Sequence, residues 1–101
     1  MANILINEME TGNRNAIYNG LFHSGAIYRM NAIAFATLHN IKDADTISRL
    51  RELQKDDIML DGYTVSDFAN ASLNLLKAEA YTGDKRAVKA LISSRFEFMK
   101  Q

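Results

Sequence analysis

One pattern occurs twice in this chain, 35 residues apart, and it constrains the fold more than any other feature. Each copy has apolar or small residues at positions i, i+4, i+7, i+8 and i+11, which lie on one face of an α-helix. The two copies are Met30, Ala34, Thr37, Leu38 and Ile41, and then Val65, Ala69, Ser72, Leu73 and Leu76. A repeated unit of this length is typical of stacked helical-repeat proteins. Such folds usually bind other molecules and seldom catalyse reactions.

Helical periodicity continues through the rest of the chain. The sequence has no proline, and four of its five glycines fall between the periodic segments, where helices end. An Asn, Ser, Thr or Asp residue precedes most segments and suits an N-cap. The predicted helices cover residues 3–10, 13–22 with Asn13 as cap, 25–40 after Ser24, 43–55 with Asp43 or Asp45 as cap, 64–78 with Thr64 as cap, and 84–98 with Asp84 as cap. Residues 4–6 also fit a short strand, but a single strand without a partner is unstable.

The inward side chains of these helices form the expected core. They are Ala16, Ile17, Leu21, Phe22, Ile27, Met30, Ala34, Leu38, Ile41, Ile47, Leu50, Leu53, Val65, Phe68, Ala69, Leu73, Leu76, Val88, Leu91, Ile92 and Phe96. Small residues at Ala34, Thr37, Ala69 and Ser72 would let two helices approach closely, while larger neighbours fill the groove between them.

The helices group into pairs. Residues 43–55 pair with 64–78, residues 13–22 pair with 25–41, and residues 84–98 begin a third pair. The second helices read Met-Asn-Ala-Ile-Ala-Phe-Ala-Thr-Leu from Met30 and Val-Ser-Asp-Phe-Ala-Asn-Ala-Ser-Leu from Val65. This pattern resembles HEAT-like repeats, of the short bacterial kind related to phycobilisome lyases. The resemblance implies one all-α domain over residues 1–101, with five or six helices in antiparallel pairs that form a short α-solenoid.

Departures from that family pattern leave an irregular helical bundle open as the alternative. The Arg that often follows the aliphatic residue in such second helices is Asn31 in one copy and Ser66 in the other. The proline common in the first helix of larger HEAT repeats is missing, and the connections inside the two pairs differ in length.

Composition disfavours several classes of function. The chain has no cysteine, which rules out disulfides, thiolate nucleophiles and cysteine-based zinc sites. Twelve basic residues balance twelve acidic ones, so nucleic acid and membrane surfaces are disfavoured as partners. No apolar run approaches the roughly 20 residues of a membrane span, and the first residues lack the features of a signal peptide. The sequence therefore predicts a cytoplasmic protein.

No residue pattern indicates catalysis, a metal or a cofactor. His23 and His39 are the only histidines, and their spacing matches no metal-binding motif. Ser24 follows His23, but adjacent residues rarely reach nucleophile–base geometry, and Ser24 fits a helix cap better. We therefore predict a protein that is not an enzyme and has no cofactor.

The longest connection between helices runs from Lys55 to Tyr63 and is the strongest candidate for function. It combines the acidic residues Asp56, Asp57 and Asp61 with an apolar run at residues 58–60. Long loops in compact domains are often functional. Between residues 43 and 67, seven acidic side chains outnumber three basic ones, which favours a basic partner.

These features predict a non-catalytic protein-binding module. Its more concrete form is an inhibitor or immunity protein that neutralises a basic toxin or enzyme. The alternatives are an adaptor or assembly factor in a larger complex, a lyase-type enzyme of HEAT-like fold, and a nucleic-acid binder. We expect binding on the outward side of the second helices and on the long loop, at Tyr28, Arg29, Asn31, Asp56, Asp57, Asp61, Tyr63, Ser66, Asp67, Asn70 and Asn74. Phe98 and Met99 offer a contact for a homodimer at the C-terminal end.

Overall fold

A computed structural model of the chain describes residues 4–60 and 62–77. The described part contains five helices and one short β-hairpin, so the predicted all-α class is confirmed. The elements are α1 (Ile4–Glu10), α2 (Arg14–Leu21), α3 (Ala26–Leu38), α4 (Ala44–Leu53), β1 (Met59–Leu60), β2 (Tyr63–Thr64) and α5 (Val65–Leu75). Asp61, the predicted helix after Asp84 with its inward residues, and the predicted C-terminal contact at Phe98 and Met99 lie outside the described residues.

Three of the predicted helix caps are confirmed. Asn13, Asp43 and Thr64 precede α2, α4 and α5, and each side chain accepts a hydrogen bond from the backbone N–H three residues later, at 3.1, 3.2 and 3.0 Å respectively. At α5 the carboxylate of Asp67 also accepts the N–H of Thr64, at 3.2 Å. Side chain and backbone thus satisfy each other at the start of α5, which fixes where that helix begins.

The predicted cap at Ser24 is wrong. The N-cap of α3 is Gly25, whose backbone N–H donates to Nδ1 of His23 at 2.9 Å. The carbonyl of Ser24 accepts a hydrogen bond from the Arg29 guanidinium at 2.8 Å. The turn into α3 is therefore organised by the histidine ring and an arginine of the following helix, and the serine contributes its backbone carbonyl.

Helix α3 lies at the centre of the fold. Residues 29–36 are all buried, and α3 packs against α1, α2, α5 and β1. In an α-solenoid the second helix of a pair keeps one open face, and α3 has none along this stretch. The solenoid arrangement is therefore not confirmed, and the burial of α3 favours the irregular bundle.

The two copies of the repeated pattern do lie side by side. Helices α3 and α5 are in contact, and the hydroxyl groups of Thr37 and Ser72 form a 2.7 Å hydrogen bond between them. Near the N-terminal ends of both helices, Asp56 accepts hydrogen bonds from Arg29 on α3 and from the N–H of Ser66 on α5. The helices therefore run in the same direction. Helix α5 also packs against α4, the helix predicted to pair with it.

Two predicted core residues are exposed. Leu38 is 46 % exposed. It is the last residue of α3. Phe22 is also exposed, because α2 ends at Leu21 and the backbone at Phe22 has already left the helical conformation. Both residues fit the apolar periodicity of the sequence, but the packed helices do not bury them.

Close packing of α2 depends on Gly20. A Cβ atom at this position would lie 2.6 Å from Sδ of Met9 on α1 and 2.9 Å from Cβ of Ala32 on α3. These distances are shorter than van der Waals contact. Glycine therefore suits this position inside a helix, despite its low helix propensity, because it lets three helices meet.

Candidate protein-binding loop

The connection between α4 and α5 folds into a short hairpin, here called the hairpin loop (residues 56–64). Strands β1 and β2 pair antiparallel, with Met59 opposite Thr64 and Leu60 opposite Tyr63. Gly62 lies in the turn with φ +87°, a left-handed conformation that favours glycine. The backbone N–H of Val65 donates to the carbonyl of Ile58 at 3.0 Å and so joins the loop to the start of α5.

Asp56 anchors the base of the hairpin loop. One carboxylate oxygen accepts Nε of Arg29 at 2.8 Å, and the other accepts the N–H of Ile58 at 3.2 Å. The carbonyl of Asp56 accepts the N–H of Ser66 at 2.8 Å. A single residue thus connects α3, the loop and α5.

Arg29 completes this anchor from inside the protein. Its side chain is 10 % exposed, against 17 % for Asp56. Besides pairing with Asp56, its NH1 donates to the carbonyls of His23 and Ser24, both at 2.8 Å. The prediction that Arg29 faces outward for partner contact is therefore wrong. The guanidinium donates to three internal acceptors, and one of them, Asp56, is 27 residues away in sequence.

Asn31 is the second predicted contact residue that does not reach the surface. It is fully buried on α3, and its Nδ2 donates to the carbonyl of Ile27 at 2.8 Å. An amide that bonds to the preceding turn of its own helix is tolerated inside a core. The polar residue type suggested an exposed position, but packing of α3 on all sides buries it.

The hairpin loop carries an exposed apolar pair, Ile58 and Met59, where its first strand begins. Ile58 is 50 % exposed and Met59 is 66 % exposed, and the exposed residue Asp57 precedes them. Two adjacent large apolar side chains therefore project from a loop whose base is held by an ion pair and backbone hydrogen bonds. This combination of a fixed base and an exposed apolar pair makes the hairpin loop the candidate functional site.

The other predicted site residues are half-buried and serve internal contacts. The Tyr28 ring lies 4.1 Å from the His23 ring, and the Tyr63 ring lies 5.6 Å from Phe68. Asn70 accepts a hydrogen bond from Gln54 at 2.8 Å. Ser66 and Asp67 belong to the first turn of α5, and Asn74 lies near its end. The structure thus brings Arg29, Asp56 and Ser66 together but does not assemble one continuous outward strip.

Sequence reasoning missed a second surface feature, here called the aromatic patch (Tyr18, Phe22 and Arg49). The rings of Tyr18 and Phe22 lie 5.0 Å apart, and the Arg49 guanidinium lies 4.3 Å from the Phe22 ring centroid. Arg49 also donates to the carbonyl of Leu21 at 3.0 Å, which ties α4 to the end of α2. The sequence did carry a signal for the aromatic patch, since Tyr18 and Phe22 are four residues apart and residues at this spacing meet on a helix.

The histidines hold parts of the backbone together. Nε2 of His39 lies 3.0 Å from the carbonyl of Glu10, and Nδ1 of His23 accepts from Gly25. Within residues 4–60 and 62–77, no three acidic or histidine side chains come close enough together to hold a metal ion. None of the helices in these ranges is both long and apolar enough to span a membrane.

Comparisons with protein-family models, with curated proteins and with solved structures find no match for this chain. The resemblance to HEAT-like repeats therefore stays a prediction from the sequence.

Proposed function

We propose that this chain is a protein-binding module that docks through the apolar pair of the hairpin loop. The observation that carries the proposal is the exposure of Ile58 and Met59 on a loop fixed at its base by Asp56. A loop that is already held in place loses little conformational entropy when it binds, so more of the contact energy becomes affinity.

The chemistry of the apolar pair suits a protein partner. Isolated apolar residues on a surface are common, but adjacent large ones on a projecting loop are typical of contact sites. Methionine adapts its shape to an apolar pocket, and it is enriched at protein interfaces. The proposed contact is therefore apolar at its centre, with Ile58 and Met59 entering a groove of the partner.

Charge at the loop narrows the proposal. Arg29 offsets the charge of Asp56, and among the described residues of the loop Asp57 is the exposed carboxylate beside the apolar pair. One exposed acidic group next to an apolar anchor favours a partner with a basic rim. An inhibitor or immunity protein that neutralises a basic toxin or enzyme is the more specific form of the proposal. An adaptor in a larger complex is the alternative form.

The test compares three forms of the protein. Partners are captured from the source cell with wild type, with the double variant Ile58→Ser, Met59→Ser, and with Ile4→Ser as the matched control. Ile4 is 73 % exposed on α1, so its replacement removes a similar apolar surface elsewhere. We expect the wild type and the control to capture the same partner, and the double variant to bind it at least about tenfold more weakly.

Capture by the double variant at wild-type strength would contradict the proposed site. Assay of the captured partner then separates the two forms of the proposal. An inhibitor abolishes the partner's own activity when added in slight excess, whereas an adaptor leaves that activity in place.

A further inference from the structure

The turn between α2 and α3, residues 23–25, depends on an unprotonated histidine nitrogen. Nδ1 of His23 accepts the backbone N–H of Gly25 at 2.9 Å, and Gly25 is the N-cap of α3. A backbone N–H only donates, so Nδ1 must carry a lone pair in this structure. Protonated histidine has N–H groups at both ring positions and cannot accept this bond.

Hydrogen bonds lead from this turn to the hairpin loop. The carbonyls of His23 and Ser24 both accept NH1 of Arg29, and Nε of Arg29 donates to Asp56. Asp56 in turn accepts the N–H groups of Ile58 and Ser66. The geometry of the turn therefore sets the position of the guanidinium that holds the base of the loop.

Aromatic and charged groups lie around the turn that holds His23. The Tyr28 ring centroid lies 4.1 Å from that of His23, the Arg29 guanidinium bonds to the carbonyl of His23, and Arg49 of α4 bonds to the carbonyl of Leu21. Asp56, the carboxylate in this hydrogen-bond network, is paired with Arg29. His23 itself lies between the end of α2 at Leu21 and the start of α3 at Ala26.

We propose that His23 makes the hairpin loop pH-sensitive: protonation of its ring opens the turn at residues 23–25, releases the carbonyls that hold Arg29, and loosens the anchor at Asp56. Its consequence for binding rests on the proposed function, since a loosened loop docks more weakly. Histidine is the side chain whose charge ordinarily changes between pH 5 and 8, so the test covers this range.

The first test follows the free protein by NMR between pH 5 and 8 and needs no partner. The amide signals of Gly25, Ile58 and Ser66 are expected to shift together with the His23 ring. In His23→Asn, the side-chain oxygen takes the place of Nδ1 as acceptor but does not titrate, so the three amides should stay unchanged over this range. His39→Gln is the control, and the shifts should persist in it.

A second measurement uses the wild type alone and does not depend on the folding of a variant. Hydrogen-exchange protection of the Ile58 and Ser66 amides, corrected for the intrinsic pH dependence, should fall about tenfold between pH 7.5 and pH 5.5, as expected for the loss of one hydrogen bond. Unchanged protection, or a Gly25 shift that Ile58 and Ser66 do not share, overturns the proposal. If the three amides shift together in the free protein but partner binding does not depend on pH, the proposed docking site is contradicted instead.

Discussion

Thr37 and Ser72 are hydrogen-bonded at 2.7 Å and hold equivalent positions in two sequence segments that are 35 residues apart. Each is the small polar member of its apolar stripe. Their bond joins α3 to α5 inside the protein, where Ser72 is fully buried. The repeated spacing is therefore a packing pattern, because it places matching small residues where two helices meet.

Replacing Ser72 with a larger side chain should test this contact. Ser72→Leu forces extra atoms between α3 and α5, and we expect the free energy of unfolding to fall by about 1–3 kcal/mol. Ser48→Leu, on the exposed side of α4, is the control and should change stability by less than about 0.5 kcal/mol. Urea denaturation measures both, and equal effects would mean that the α3–α5 contact is not tightly packed.

Breaking the anchor of the hairpin loop should markedly lower the free energy of unfolding. Arg29→Met leaves Asp56 and two carbonyls without their donor, and we expect a loss of about 3 kcal/mol in the free energy of unfolding. Arg14→Met removes the exposed pair with Asp43 and should cost less than about 1 kcal/mol. Arg29→Lys should restore little of this lost stability, because one ammonium group cannot reproduce the hydrogen-bond geometry of the guanidinium. Chemical denaturation checks all three, and a cost at Arg29 no larger than at Arg14 would contradict the anchor.

Gly20 should be sensitive to the addition of a single methyl group. Alanine improves helix propensity by about 1 kcal/mol, but the contact with Ala32 leaves no room for its Cβ. We expect a net destabilisation of about 1–3 kcal/mol in Gly20→Ala. Asn19→Ala, at the exposed neighbouring position, should be neutral or stabilising. A rise in melting temperature for both variants would show that α2 has room to move.

Asp43 should contribute to acid sensitivity. Burial acts to raise its pKa, but hydrogen bonds from the side chain and N–H of Thr46, and then from Arg14, outweigh it, so the pKa lies below the ordinary value of 3.8. A carboxyl with a lowered folded-state pKa stabilises the fold above its unfolded pKa, and this contribution is lost as pH falls through the folded-state value. Asp43→Asn should therefore lose stability less steeply than wild type between about pH 4 and pH 2. Denaturation at a series of pH values measures this, and the same loss of stability with falling pH in both proteins would contradict the prediction.

Leu73 and Leu38 show how far the sequence pattern extends. Both were predicted to lie inward at equivalent positions, but Leu73 is fully buried while Leu38 is half-exposed. We expect Leu73→Ala to cost about 2–5 kcal/mol and Leu38→Ala less than about 1 kcal/mol. The periodicity predicts which face of a helix is apolar, but it does not predict which positions on that face a neighbouring element covers.

Local signals predicted local structure well. The caps at Asn13, Asp43 and Thr64 depend on residues within one turn, and all three are confirmed. Ser24 had the right residue type, but the N-cap of α3 is Gly25, whose N–H donates to the His23 ring. This histidine contact had no recognised motif, because the usual cap residues are short polar side chains.

The candidate site was predicted only in part. The hairpin loop stood out by its length and its apolar run, and both features are local. The burial of Arg29 was not predictable from residue type, because its partner Asp56 lies 27 residues away and only the packed fold brings them together. Because Arg29 offsets the charge of Asp56, the exposed apolar residues Ile58 and Met59 are the feature that marks the described part of the loop as a site.

Site-specific photo-crosslinking in the source cell tests the docking site most directly. A photoreactive residue is placed at Met59 in the apolar pair of the hairpin loop, at Ile4 on α1, or at Phe22 in the aromatic patch. All three positions are exposed, so none of the substitutions should disturb the core. We expect a crosslinked partner from position 59 and none from position 4 or 22. A partner that crosslinks from position 22 or position 4 but not from position 59 would contradict docking through the hairpin loop.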